Sequence, residues 1–155
     1  MASLLLALAV GCTGLYAGFM LIFQTGIMPA LARLTDAEFV VVMRRINEAV
    51  PRAVFLLVFL GVVAFPLAAF LVPGDGRTGT QKWLVLAGLA CAVLNHVVTV
   101  GGNVPLNNAL AASESTGDEP SAVRAAFERR WNGFHRVRTP LVTAAFGLLT
   151  AAAVL

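Results

Sequence analysis

Long apolar runs alternate along this chain with shorter stretches that hold nearly all of its charge. Four runs stand out. Leu4 to Met28 is interrupted only by Thr13, Tyr16, Gln24 and Thr25. Ala53 to Val72 carries no charge. Trp83 to Gly102 has Asn95, His96 and Thr99 as its polar members. Thr139 to Leu155 is shorter and also uncharged. A helix needs about 20 apolar residues to cross a hydrocarbon core about 30 Å thick, so the four runs predict four membrane-spanning helices. The first has no charged segment ahead of it and no convincing cleavage site, so it reads as a retained helix rather than a signal peptide.

The connections predict how the spans are joined. Pro73-Gly74-Asp75-Gly76-Arg77-Thr78-Gly79 reads as a tight turn. Between spans one and two, Thr35-Asp36-Ala37-Glu38 has the form of a capping box. Phe39, Met43 and Ile46 follow at helical spacing, and Pro51 is expected to kink the path into span two. Between spans three and four, Ala112 to Pro120 is turn-like. Ser121 to Arg138 then resumes a helix with Val123, Phe127, Trp131 and Phe134 on one stripe. The expected fold is therefore all-α. It is one four-transmembrane-helix bundle over residues 1–155, with helices two and four extended on the same side of the membrane.

Charge orients that bundle. Arg33, Arg44, Arg45 and Arg52 lie in the first connection. Arg124, Arg129, Arg130, Arg136 and Arg138 lie in the third. Together they are nine of the eleven basic residues. The positive-inside rule makes this side cytoplasmic and both termini extracytoplasmic, in a setting such as a bacterial inner membrane.

Composition changes the picture little. At 59% hydrophobic and 12% charged, with a mean hydropathy of +0.84, the chain is too apolar for an ordinary soluble domain. The basic face is accounted for by lipid and by insertion, so no nucleic-acid partner is expected. Cys12 and Cys91 are far apart in apolar runs and form no C-x-x-C pair, which argues against thiol-disulfide chemistry and a cysteine metal knuckle. A disulfide between them stays open, as does homo-oligomerisation.

The polar residues inside the spans gather towards one end, and such groups usually face a bundle interior or cavity. His96, Asn103 and Asn107 are spaced i, i+7, i+11, on one face of an uninterrupted helix. Gly101-Gly102-Asn103-Val104-Pro105 holds helix breakers, so the backbone is expected to open there. Trp131, His135 and Arg138 are spaced i, i+4, i+7 and join an indole, an imidazole and a guanidinium on one stripe. Gln24 and Asn47 add amides from helices one and two. Arg44, Glu48 and Arg52 at i, i+4 steps suggest ion pairing. The plainer alternatives are interhelical hydrogen bonding for Asn95 and His96 and interfacial anchoring for Trp131 and the arginines.

These motifs together resemble the anthrone-oxygenase-like family of small four-helix membrane proteins. The resemblance rests on Ala17 to Phe23 followed by Pro29, and on Asn47 with Pro51. It rests also on Asn103-Val104-Pro105-Leu106-Asn107 and on Trp131-Asn132-x-x-His135-x-x-Arg138. It implies oxidation of polyphenolic anthrones to anthraquinones by dioxygen.

The reading that follows is a membrane-embedded oxygenase for an apolar aromatic small molecule, with its site at the cytoplasmic end. His135 is the expected base, because an imidazole titrates nearest neutral pH. His96 is a second proton carrier. Arg138, Asn103 and Asn107 are expected to stabilise an oxyanion. Trp131 and Phe134 supply a stacking wall, with Gln24 and Asn47 lining the site. No cofactor is required, and a metal held between His96 and His135 is the variant. The alternative function is a non-catalytic membrane protein that binds lipid or a small molecule, or serves as a subunit of a complex.

Overall fold

The computed structural model describes residues 1–72 and 77–155. Pro73 to Gly76, at the heart of the predicted tight turn, lie outside the described residues. The described residues form five helices: α1 (Ala2–Leu31), α2 (Asp36–Ala49), α3 (Ala53–Leu71), α4 (Gly79–Thr116) and α5 (Pro120–Val154). All but α2 are long and apolar enough to cross a membrane. The protein is all-helical, and its spans form a bundle. α1 and α4 each pack against both α3 and α5, so they sit across the bundle from one another.

The interior is layered. At one end Leu6, Ala69, Val85 and Leu149 pack together. In the middle are Tyr16, Met20, Val62, Ala92 and Val142. At the other end Phe39 and Met43 of α2 close over Leu110, Phe127 and Trp131. Outward-facing residues such as Leu57, Leu60, Leu71 and Val97 stay exposed, which is the surface a lipid-facing bundle requires.

Three details differ from the sequence expectation. First, Pro51 does not kink one long helix. The helix stops at Ala49 and a new one begins at Ala53, because proline has no N–H to donate and its ring crowds the preceding turn. Second, Ala112 to Thr116, expected to be turn-like, continue α4 as helix. That helix runs 38 residues, about 57 Å at 1.5 Å per residue, so it projects past a 30 Å core together with the 35-residue α5. Third, the backbone opening predicted around Gly101 is a widened turn, not a break. The Val104 N–H bonds the Thr99 carbonyl, five residues back.

The same construction occurs in α1, where the Met28 N–H bonds the Phe23 carbonyl. Each wide turn ends two residues before a proline, Pro29 or Pro105. A proline ring clashes with the carbonyl four residues earlier, here that of Thr25 or Gly101, and one extra residue per turn relieves the clash.

Polar clamps hold α2 over the bundle end. The Thr35 cap forms as predicted: its Oγ1 accepts from the Glu38 N–H, and its own N–H donates to Glu38. The hydroxyl and amide of Thr35 also hold the Glu38 carboxyl below its ordinary pKa. Arg44 donates to the Leu110 carbonyl at 2.9 Å and to Ser113 Oγ at 2.7 Å. It is therefore not paired with Glu48, which instead meets Arg45 at 3.0 Å. Drawn to the carbonyl on α4, Arg44 has left its own helix surface. Arg124 of α5 reaches Asp36, Glu128 and the carbonyls of Ala32 and Leu34.

Small residues set the helix spacing, as is usual in membranes. A Cβ on Gly102 would lie 2.6 Å from Phe134 Cγ, so the Phe134 ring rests directly on the α4 backbone. Gly102→Ala is expected to destabilise the protein by about 1–3 kcal/mol. Adding Phe134→Ala should restore most of the loss. Thermal unfolding in detergent measures both, and additive losses would contradict the close approach.

Candidate functional site

A cavity of about 180 Å³ lies beneath α2, between the ends of α1, α3, α4 and α5. Its walls are mostly aromatic and aliphatic, with Phe23, Phe55, Phe59 and Trp131 among them. Its polar groups are Tyr16, Asn47, Thr99, Asn103, Asn107 and Arg138. The break between α2 and α3 contributes Val50 and Pro51 to the wall.

Arg138 is the dominant charge. Only 6% of it is exposed, and no carboxylate pairs with it among the described residues. Its Nε donates to His135 Nδ1 at 3.1 Å, and its Nη1 points to Thr99 Oγ1 at 3.4 Å. Its guanidinium also lies 5.3 Å over the Trp131 ring. A guanidinium has five N–H donors, so donors remain for the cavity it lines. A desolvated, unpaired cation is costly, and a guest with negative charge would relieve that cost.

His135 is fixed from both sides. Nε2 faces the Met20 carbonyl at 2.9 Å, which can only accept. Nδ1 faces the Arg138 guanidinium, which can only donate. The two partners together select the neutral imidazole with its proton on Nε2. The ring also stacks on Trp131, with centroids 4.7 Å apart and planes inclined by 12°. The stripe of Trp131, His135 and Arg138 is thus one contiguous unit, all buried. His135 itself lines a different, more polar cleft beside Glu128 and Asn132, as does Gln24. The surface position of Gln24 keeps it out of the cavity that Asn47, Asn103 and Asn107 share.

Two further expectations change position. His96 does not join Asn103 and Asn107, because the wide turn of α4 inserts an extra residue between them and shifts the face by about 100°. The His96 ring packs against Phe59 at 4.0 Å, with Nε2 on the Phe59 carbonyl at 2.8 Å and Nδ1 near the Ala92 carbonyl at 3.0 Å. Phe134 lies over Gly102, 37% exposed, rather than in the cavity wall. The donor set does not suit a metal shared by His96 and His135. All four ring nitrogens already face protein partners, one of them a cation, and no group of three His, Cys, Asp or Glu forms among the described residues.

The cavity is also where the interior's polar accounting fails to close. Among the described residues, four buried side-chain atoms lack a hydrogen-bond partner: Tyr16 Oη, Asn47 Nδ2, Asn95 Oδ1 and Asn103 Oδ1. Tyr16, Asn47 and Asn103 line this one cavity. Buried polar atoms are rarely left unpaired, and three of these four meet at the one cavity. Tyr16 is a cavity residue that the sequence pattern does not single out. The available signal was that it is the sole tyrosine, placed mid-span where its hydroxyl needs a partner.

A family model described as anthrone oxygenase matches residues 39–148. The chain belongs to the anthrone oxygenase family. The match covers Asn47, Asn103, Asn107, Trp131 and Arg138. It begins after α1, so the Tyr16 and Phe23 walls of the cavity lie outside it. No curated protein and no solved structure matches this family member.

The joint between His135 and Arg138 gives a stability test. His135→Ala would strand the Arg138 Nε–H and take its side-chain donor from the Met20 carbonyl, which keeps the Phe23 N–H, at an expected cost of about 1–3 kcal/mol. Replacing Arg138 by Met in the same chain should cost clearly less than the sum of the two single changes. Chemical unfolding of the four proteins measures the coupling, and strict additivity would mean the bond does not form.

Proposed function

We propose that this protein is a membrane-embedded oxygenase that converts an anthrone-like, electron-rich aromatic to a quinone with dioxygen. The observation that carries the proposal is Arg138, a buried cation without a counter-charge, facing an aromatic cavity whose other polar atoms also lack partners. Family membership supports the reaction class.

The chemistry suits those groups. An anthrone is a carbon acid: loss of a proton from its CH2 gives an enolate with its charge on the ring-bound oxygen. Arg138 would hold that oxygen, favouring the ionised form through a desolvated, preorganised contact. Trp131 and Phe59 would flank the ring plane. The enolate carbon then gives an electron pair to dioxygen, forming a C–O bond and leaving a peroxide. Protonation of the peroxide and loss of water generate the second carbonyl. In sum, CH2 and O2 become C=O and H2O, the carbon losing four electrons and dioxygen gaining four.

His135 takes a different part from that of a free base in this scheme. Its Nδ1 lone pair holds the Arg138 Nε–H, so it acts by aiming the guanidinium. It could accept a proton only by releasing Arg138. Asn107, with Nδ2 unengaged, is an added donor for the substrate oxygen. The cavity is small beside the typical 300 Å³ or more of a ligand pocket, so part of a three-ring substrate would extend beyond it, towards exposed lining residues such as Phe19 and Leu56. Entry from the lipid would suit those exposed apolar side chains.

Oxygen uptake tests the proposal. With protein in lipid nanodiscs and anthrone as substrate, uptake should exceed the spontaneous rate. Arg138→Gln should lower kcat/KM by about 10²–10³-fold, while Arg129→Lys with Arg130→Lys leaves it unchanged. Uptake at the spontaneous rate, with anthrone bound stoichiometrically, would instead make the protein a carrier.

We further propose that the α2 side is cytoplasmic, on the strength of the nine basic residues gathered there. In a background with Cys12 and Cys91 replaced by Ala, Arg77→Cys should react with an impermeant maleimide only from outside the cell. Reaction only from the cytoplasm would reverse the orientation.

A further inference from the structure

Asn103 and Asn107 stand one helical turn apart on α4, so their side chains neighbour each other, with Cβ atoms about 5–6 Å apart. Both line the cavity. They would look interchangeable, two amides on one wall. Trp131 makes them opposites.

The Asn103 Nδ2 donates to the Trp131 backbone carbonyl at 3.2 Å. A carbonyl accepts only, so the amide nitrogen must be the atom on that side. This turns Oδ1 away, buried and without a partner. Asn107 is held the other way round. Its Oδ1 accepts from the Trp131 indole N–H at 2.9 Å, and an indole donates only. Its Nδ2 is therefore the free end. One tryptophan, through its backbone and its ring, fixes both amides in opposite senses.

The consequence for Asn103 is specific. Its free atom is an acceptor, so it cannot stabilise an oxyanion and would repel one. The wall thus carries donors in Asn47 Nδ2, Asn107 Nδ2 and Arg138, the Tyr16 hydroxyl, and, among the unpaired amide atoms, one acceptor in Asn103 Oδ1. We infer that Asn103 Oδ1 is a specificity determinant that reads a hydroxyl on the substrate, beside the carbonyl or enolate oxygen that Arg138 and Asn107 hold. The aromatic that fits best is one with a free phenolic O–H, and its unhydroxylated or O-methylated analogues leave Oδ1 unpaired in an apolar wall. A site built to bond a hydroxyl discriminates well against a ligand lacking it.

This inference rests on the proposed substrate class, and its test is chosen to be independent of turnover. The probes are 2-hydroxyanthraquinone, 2-methoxyanthraquinone and anthraquinone, used below the pKa of the phenol. Binding to the detergent-solubilised protein is measured by equilibrium dialysis against protein-free micelles. The hydroxyquinone is expected to bind about tenfold more tightly than the methyl ether, the scale of one net hydrogen bond. Asn103→Leu should erase that ratio. Trp131→Phe should keep the ratio, because Asn103 leans on the backbone carbonyl, but weaken all three quinones through loss of the Asn107 orientation.

Equal binding of the hydroxyl and methoxy probes to the unaltered protein overturns the inference and assigns Oδ1 to a water molecule. So does a preference that survives in folded Asn103→Leu. If that variant fails to fold, the ratio measured on the unaltered protein decides alone. A hydroxyl preference without any dioxygen uptake would remove the oxygenase reading and leave this one standing. Uptake with no hydroxyl preference would do the reverse.

Discussion

An unpaired guanidinium in an apolar interior organises this molecule. Burying a charge without a partner is among the costliest things a fold can do, and Arg138 is buried with only neutral company. Its neighbours follow from that constraint. His135 must be neutral and must turn a lone pair towards it. Thr99 must turn an oxygen towards it. Trp131 must offer the face of a ring. Met20 must give up a carbonyl to fix the imidazole. Three helices, α1, α4 and α5, meet around one charge, and among the described residues its remaining donors find no protein partner.

The cover over that charge is built from separate clamps. α2 lies across the bundle end because Phe39 and Met43 need a core, because Arg44 satisfies a carbonyl of α4 and because Arg124 satisfies one in the turn ahead of α2. The break at Val50 to Arg52 lets α2 lie there while α3 crosses the membrane, and the same break supplies cavity wall. A feature that reads as a helix-stopping proline is thus also what closes the site from above.

Sequence patterns carried most of the fold and part of the site. Apolar run lengths are a direct consequence of bilayer thickness, so the four spans were legible, as was the Thr35 cap. Trp131, His135 and Arg138 were legible as a stripe because α5 is continuous, and α-helical periodicity holds throughout it. His96 was misgrouped with Asn103 for the opposite reason: periodicity fails across a wide turn, and no residue count reveals the extra residue. Gln24 and Phe134 were misassigned because composition tells the type of a side chain but not the side from which a neighbouring helix approaches. The polar senses of Asn103 and Asn107 were beyond reach, since they depend on two atoms of a tryptophan distant in sequence.

The two wide turns make the helices unequal to their own length. In an ordinary helix, phase is spread over every residue and no single position sets it. Here the facing of Asn103 and of everything after it is stored in one surplus residue between Thr99 and Asn103, and that of Met28 and Leu31 in another between Phe23 and Ile27. Losing one residue from either stretch would leave hydropathy, span length and composition almost untouched. It would nonetheless swing the downstream segment by about 100°, carrying cavity-facing amides towards lipid. For this chain, then, the unit of inheritance at those two places is the reading register of the helix as much as the identity of any side chain.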